Sequence, residues 1–198
     1  IMATPVRDSA PDAPQGAATG AIEVRGLMKR YGQLEAVRGI DFEVREREIF
    51  GLIGPDGAGK TTTFQILAGV MEATSGAADI FGAPAREMRS QTGYLTQAFS
   101  LYPDLTVAEN IRYCGDLRRI SPQEIVDRGN RYLRMFDMDR FANRLAGKLS
   151  GGMRQKLSLI CALVHDPRVL LLDEPTTGVD PVSRREFWDA LAHLSADG

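Results

Sequence analysis

Gly54-Pro55-Asp56-Gly57-Ala58-Gly59-Lys60-Thr61 fits the spacing G-x-x-x-x-G-K-[ST]. Its chemistry is that of a cradle for a polyphosphate. Glycines let the main chain curl so that successive N–H groups point inward at phosphate oxygens. A helix following the loop would turn its positive end toward the same oxygens. Lys60 would reach the terminal phosphates and the Thr61 hydroxyl would ligate Mg²⁺. A chance match in a chain of ordinary glycine content is on the order of 1 in 100, and the apolar run before it and the helical pattern after it make coincidence rarer still.

Two further stretches carry chemistry. Val169-Leu170-Leu171-Leu172-Asp173-Glu174 reads as an apolar strand ending in two carboxylates. Asp173 at the strand tip would hold Mg²⁺, and Glu174, one residue on, would polarise an attacking water as general base. Alone, an acid-ended strand is a weak signal; beside a phosphate loop it becomes strong. Upstream, Leu149-Ser150-Gly151-Gly152-Met153 offers an N-cap serine and two glycines that permit close backbone approach, hence a second anion-binding helix start.

These residues need elements to hold them. Ile22 and Val24, and again Ile40, Phe42 and Val44, alternate with polar residues as strands do. Ile49 to Ile53 is a continuous apolar run, expected of a strand covered on both faces. A helix is expected from Lys60 through Val70, a turn at Thr74-Ser75-Gly76, and a short strand from Gly93 to Thr96. Thr106-Val107-Ala108-Glu109 and Ser121-Pro122-Gln123-Glu124 are capping boxes, so two helices start there. Met153, Leu157, Ile160 and Val164 share one face of a helix from Gly151 to His165. Pro181 opens a last helix. Residues 1–20, rich in Ala, Pro and Gly, read as a disordered tail.

Composition narrows the class. The 198 residues are 43% hydrophobic and 25% charged, ordinary for a globular protein, with a formal charge of -2. That balance argues against a nucleic-acid partner bound through bulk positive charge. Of 24 basic residues only Lys29, Lys60, Lys148 and Lys156 are lysines. Cys114 and Cys161 form no disulfide framework and fit a reducing compartment; Cys161, among apolar residues, reads as a small core hydrophobe. His165 earns no role beyond its helix C-terminus, where a cation would suit the dipole.

Together, the loop, the acid-ended strand and Leu149–Met153 resemble the ATP-binding cassette (ABC) ATPases over residues 21–198, most nearly the ATP-binding components of bacterial ABC-2 type drug exporters. The resemblance implies an α/β P-loop NTPase with a RecA-like parallel sheet core, an N-terminal antiparallel β subdomain and a helical signature subdomain at about 98–165. It implies ATP and Mg²⁺ as ligands, with Gly54, Pro55, Asp56, Gly57, Ala58, Gly59, Lys60, Thr61 and Thr62 on the phosphates. Tyr31 looks like the aromatic residue that stacks on adenine. Gln97 looks like the Q-loop glutamine, touching Mg²⁺ and the attacking water, so that Thr61, Gln97 and Asp173 form the metal set and Glu174, Lys60 and Gln97 the catalytic one. Ser150, Gly151 and Gly152 would act in trans across a head-to-tail dimer, and Gly178-Val179-Asp180 looks like the D-loop that communicates between subunits.

The implied partners are a second nucleotide-binding domain and transmembrane permease subunits, at the cytoplasmic face of the membrane. Ala98 to Pro103 would border the groove that receives the permease, as a partly exposed apolar patch. Other readings of the family are an ABC ATPase acting on ribosomes or DNA, disfavoured by the lack of a basic or heptad-patterned insertion, and a non-hydrolysing regulatory half, against which Glu174 argues. Met153 stands where the family usually has Gln, and Asp56 where Asn is commoner. The family's switch histidine follows a further strand beyond Gly198, and His193 comes too early for that role, so the sequence is expected to be part of a longer chain.

Overall fold

The computed structural model describes residues 20–97 and 101–197, so the expected tail lies almost wholly outside the described residues. The chain divides into two compact units, Ile1–Arg89 and Ser90–Gly198.

In the first unit, β1 (Gly20–Tyr31) pairs antiparallel with β2 (Leu34–Arg45) on one side and with β3 (Ser75–Ile80) on the other. A two-residue strand, β4 (Ala83–Pro84), closes the order β2-β1-β3-β4. Ile22, Val24, Leu27, Val37, Ile40, Val44 and Ile80 lie in the core, irregularities in the β1–β2 register resetting the alternation between Val24 and Leu27. The helix after the phosphate loop, α1 (Lys60–Leu67), buries Thr63, Ile66 and Leu67. It stops three residues short of the expected end. Gly69 turns the chain at φ 69, where a Cβ would lie 2.9 Å from the Arg86 Cα and 3.0 Å from the Ala85 oxygen.

Two other expectations fail here for physical reasons. Ile49 to Ile53 forms no strand: no described segment pairs with it, Ile49 and Ile53 are 65% and 80% exposed, and Phe50 and Leu52 are half-buried, the Phe50 ring stacked 5.2 Å from that of Phe42. An apolar run is a strand only when a neighbour completes its ladder. Ser75 and Gly76 are not a turn but the start of β3, where Gly76, at φ 80, presses against the Gly26 carbonyl so closely that no side chain fits.

In the second unit, β5 (Thr92–Leu95) and β6 (Val169–Leu172) form a parallel pair with Leu95 beside Leu172. Both capping boxes form: Thr106 opens α2 (Val107–Leu117) and Ser121 opens α3 (Pro122–Met135), each hydroxyl accepting from the N3 amide while the N3 glutamate answers. Gly115 and Gly129 allow these helices close approach, since a Cβ would meet Ile125 from the first and Ile111 from the second. The core lies under α4 (Gly151–Leu163): Leu157, Leu159, Ile160 and Val164 are fully enclosed with Phe136, Met138 and Phe187, the last from α5 (Pro181–Asp197). Met153, on the same expected face, is only half-buried. Among the described residues no helix is long and apolar enough to cross a membrane.

His165, given no role from sequence, lies past the end of α4, where a cation would suit the helix dipole, but its surroundings disfavour the charge. Burial, and then the Arg118 charge, push its pKa from 6.5 down to about 4, against a partial lift from the Thr92 carbonyl 3.3 Å from Nε2. Because the folded value lies below the unfolded one, the fold favours the neutral ring. That contribution is fully present above about pH 6.5 and is lost as pH falls toward about 4. Between roughly pH 7 and 5 the protein should therefore lose on the order of 2 kcal/mol more stability than its His165→Gln variant. Urea midpoints at the two pH values measure the difference.

Candidate functional site

The expected site residues fall into two groups, one in each unit. In the first, the loop Gly54–Gly59 runs directly into α1. Gly57 and Gly59 adopt φ 78 and 85, the left-handed region open to glycine. Gly59 is further constrained, because a Cβ there would collide with the Ala36 carbonyl. The α1 N-terminus has no acidic residue in its first turn and no side-chain cap, which leaves its positive end to a ligand. Lys60 folds over the loop, its ammonium donating to the carbonyls of Gly54 at 2.8 Å and Pro55 at 3.1 Å, with the exposed Asp56 carboxylate 3.8 Å away. Thr61 is exposed and Thr62 half-buried, whereas Thr63 turns inward and donates to the Gly59 carbonyl at 3.0 Å. Tyr31, at the end of β1, is 44% exposed, with Lys29 Nζ 5.3 Å from its ring centre and its hydroxyl on Met71 Sδ at 2.9 Å.

The second group forms at the tip of β6. The Asp173 amide donates to Leu95 O at 3.0 Å, adding a last rung to the β5–β6 ladder. Its carboxylate is buried beside the Tyr94 hydroxyl; burial first, and then this carboxylate, raise the Tyr94 pKa to about 12. The next residue breaks from the strand. Glu174 takes φ 49, costly for a side chain with a Cβ, and two donors meet its Oε2: Gln97 Nε2 at 3.0 Å and Thr177 Oγ1 at 3.3 Å. Gln97 and Glu174, 77 positions apart in sequence, thus share a hydrogen bond. Sequence reasoning did not single out Tyr94 or Thr177 for this cluster. Thr177 could have been found from its three-residue spacing after Glu174, whereas Tyr94 left no local signal, because its place beside Asp173 depends on the β5–β6 register.

Ser150 caps α4 through Met153 N at 3.2 Å. Gly151 faces open space, but Gly152 is packed so that a Cβ would lie 2.6 Å from Ser183 Oγ. Asp180 caps α5: its Oδ1 accepts from the Val182 and Ser183 amides at 3.1 and 3.0 Å, and these bonds, that to Ser183 foremost, hold its carboxyl below the usual range. His193 turns back onto the Asp189 carbonyl at 2.7 Å within α5. Of the expected apolar patch, residues 98–100 lie outside the described residues; Leu101 is half-buried and Tyr102 47% exposed, its ring edge-on to Tyr113. Asn110, buried in α2, holds this segment by accepting from Tyr102 N while the two N–H groups of its amide are shared among the carbonyls of Tyr102, Leu105 and Thr106.

A glycine loop leading a lysine into a helix, with an acid-ended parallel strand, defines an α/β P-loop NTPase. The sequence family described as ABC transporter matches residues 37–177, and the chain belongs to it. It is 44% identical over 183 residues to the "Probable multidrug ABC transporter ATP-binding protein YbhF" of Escherichia coli, covering 89% of this chain and 32% of that protein. It is 38% identical over 189 residues to "Nod factor export ATP-binding protein I" of Cupriavidus pinatubonensis, covering 93% of this chain and 58% of that one. The chain thus spans about a third to three-fifths of these relatives. Its fold is that of cbiO1 from Clostridium perfringens, described as part of the ABC transporter complex cbiONQ (TM-score 0.81, 24% identity, 90% of this chain and 75% of that one).

The two loop glycines separate conformation from space. Gly57→Ala should carry only the cost of a left-handed backbone, about 1–3 kcal/mol. Gly59→Ala adds the clash with the Ala36 carbonyl, and should be the less stable variant in urea and weaken binding of a fluorescent ATP analogue by at least about ten-fold.

Proposed function

We propose that this chain is the nucleotide-binding domain of a membrane transporter, binding Mg-ATP and hydrolysing it to drive transport, in the export direction. The observation that carries the proposal is the Gln97–Glu174 hydrogen bond at the tip of an acid-ended strand, with Glu174 held in a strained backbone conformation. A carboxylate fixed by an amide at 3.0 Å is oriented as a general base must be.

In this reading the main-chain amides of Gly54–Gly59 and the α1 N-terminus bind the phosphates, aided by Thr61 and Thr62, and Tyr31 stacks on the base. Lys60 exchanges its carbonyl partners for the terminal phosphate oxygens. Glu174 takes the proton of the attacking water, and Gln97 orients both. The oxygen donors Thr61, Asp173 and Gln97 suit Mg²⁺ by chemistry, a hard cation that prefers hydroxyl, carboxylate and amide oxygens. Bound there, it would offset charge on the transferring phosphoryl group. Ser150, Gly151 and Gly152 act on the ATP of a second nucleotide-binding domain, with Asp180 at that dimer boundary. The partners are that second domain and a transmembrane permease, at the cytoplasmic face of the membrane. The names of the relatives, multidrug transport and Nod factor export, support the direction.

In the full-length protein, Glu174→Gln should lower ATP turnover by about 10²–10⁴-fold while nucleotide affinity stays within about three-fold of wild type. Chelation of divalent cations should abolish turnover in both proteins. Wild-type turnover by the Glu174→Gln enzyme would sink the proposal.

A further inference from the structure

The second unit contains a cavity of about 200 Å³ that shares Tyr94 with the Asp173 cluster and holds groups the proposed hydrolysis does not use. Tyr94, Leu101, Cys114, Arg118, Cys161 and His165 are among the residues that line it. The chain's two cysteines therefore open onto one space, Cys114 from the last turn of α2 and Cys161 from that of α4. Both are half-buried free thiols, packed at the edge of the core, and near enough to affect each other's titration.

The two sulfurs are not equivalent. Cys114 sits one helical turn before Arg118, and both line the cavity. The Cys161 thiol, and then the Arg118 charge, draw the Cys114 thiol below its ordinary pKa against the opposing effect of burial. Cys114 and burial drive Cys161 well above it. The guanidinium one turn on from Cys114 favours a thiolate there, so Cys114 is the better nucleophile, and Cys161, deeper in the same space, is the second thiol. An attacking and a resolving thiol in a redox pair divide their work in this way.

We propose that Cys114 and Cys161 form a dithiol site that is reversibly oxidised to a disulfide by small dialkyl disulfides entering this cavity. The Cys114 thiolate attacks one sulfur of RSSR, forming a mixed disulfide and expelling RS⁻, which takes a proton from water. Cys161 then loses its proton to solvent and attacks the Cys114 sulfur, expelling the second RS⁻. The net change is two protein thiols and RSSR giving one protein disulfide and two RSH, with both electrons passing to the small disulfide. Closing the bond needs the sulfurs to come to about 2.05 Å. The resulting link ties α2 to α4, and excess dithiol reverses it. The site is independent of ATP turnover, so its test neither supports nor weakens the reading above.

Full-length protein treated with 2-hydroxyethyl disulfide, quenched in acid and mapped under non-reducing conditions provides the test. The expected product joins the Cys114 and Cys161 peptides within one molecule, with both thiols lost and recovered on adding dithiothreitol. Cys161→Ser should stall as a mixed disulfide on Cys114, and Cys114→Ser should react at Cys161 at least about ten-fold more slowly. Two stable mixed disulfides in the wild-type protein, first attack at Cys161, a link between molecules, or two unreactive thiols would each overturn the proposal. Should a variant fail to fold, the time course of the wild-type protein alone still orders the two sulfurs.

Discussion

A parallel ladder four residues long governs the chemistry of the second unit. Thr92 to Leu95 lie beside Val169 to Leu172, and the Asp173 amide extends the pairing by one bond to Leu95 O. That last bond fixes where β6 ends. The register then decides what surrounds the two carboxylates. Tyr94 stands across from Leu171, so its side chain shares a face with Asp173 two residues on, while the chain leaving β5 carries Gln97 to Glu174. Slip the register by one residue and every side chain changes face; Tyr94 would leave Asp173. Hydrophobic burial enforces the register, since Leu95, Val169 and Leu171 are buried and α4 packs on β5.

At the strand tip the structure accepts strain in exchange for direction. Glu174 would be more comfortable continuing β6, but a strand residue points its side chain alternately up or down and could not turn forward. At φ 49 it leaves the strand, the Thr177 amide donates back to its carbonyl at 3.2 Å, and its carboxylate is met by Gln97 and Thr177. A left-handed glutamate costs of order 1–3 kcal/mol. The enclosed side chains under α4 can bear such a cost, each contributing about 1.5–3 kcal/mol by burial.

Local signals were legible in the sequence and non-local ones were not. Thr106 with Glu109, Ser121 with Glu124, and Ser150 all capped helices as their types and spacing implied, because a cap depends on three or four consecutive residues. The glycine loop and the acid-ended strand were readable for the same reason. The run Ile49–Ile53 misled because a strand requires a partner, which no property of the run itself supplies. Ser75 and Gly76 misled because glycine marks a turn or a close approach equally well, and only the Gly26 carbonyl distinguishes the two. The behaviour of His165 and of the Cys161 thiol was not legible, because it comes from Arg118 and from Cys114, each far away in sequence.

Lys60 shows how a binding loop can be stable and yet ready to exchange partners. Its ammonium spans the loop to the carbonyls of Gly54 and Pro55, so the positive charge is satisfied from within and braces the curl that orients the amides. Those two acceptors are neutral. A phosphate oxygen carries negative charge, and an N⁺–H···O⁻ bond adds an attraction between opposite charges that neither carbonyl offers, so a polyphosphate can draw the ammonium off its own backbone. Asp56, fully exposed and 3.8 Å from Lys60, adds little competition, because solvent screens a surface carboxylate. The loop therefore need not fold anew when a nucleotide arrives. The glycines at φ 78 and 85 already supply the curl, and one side chain is the part that has to move.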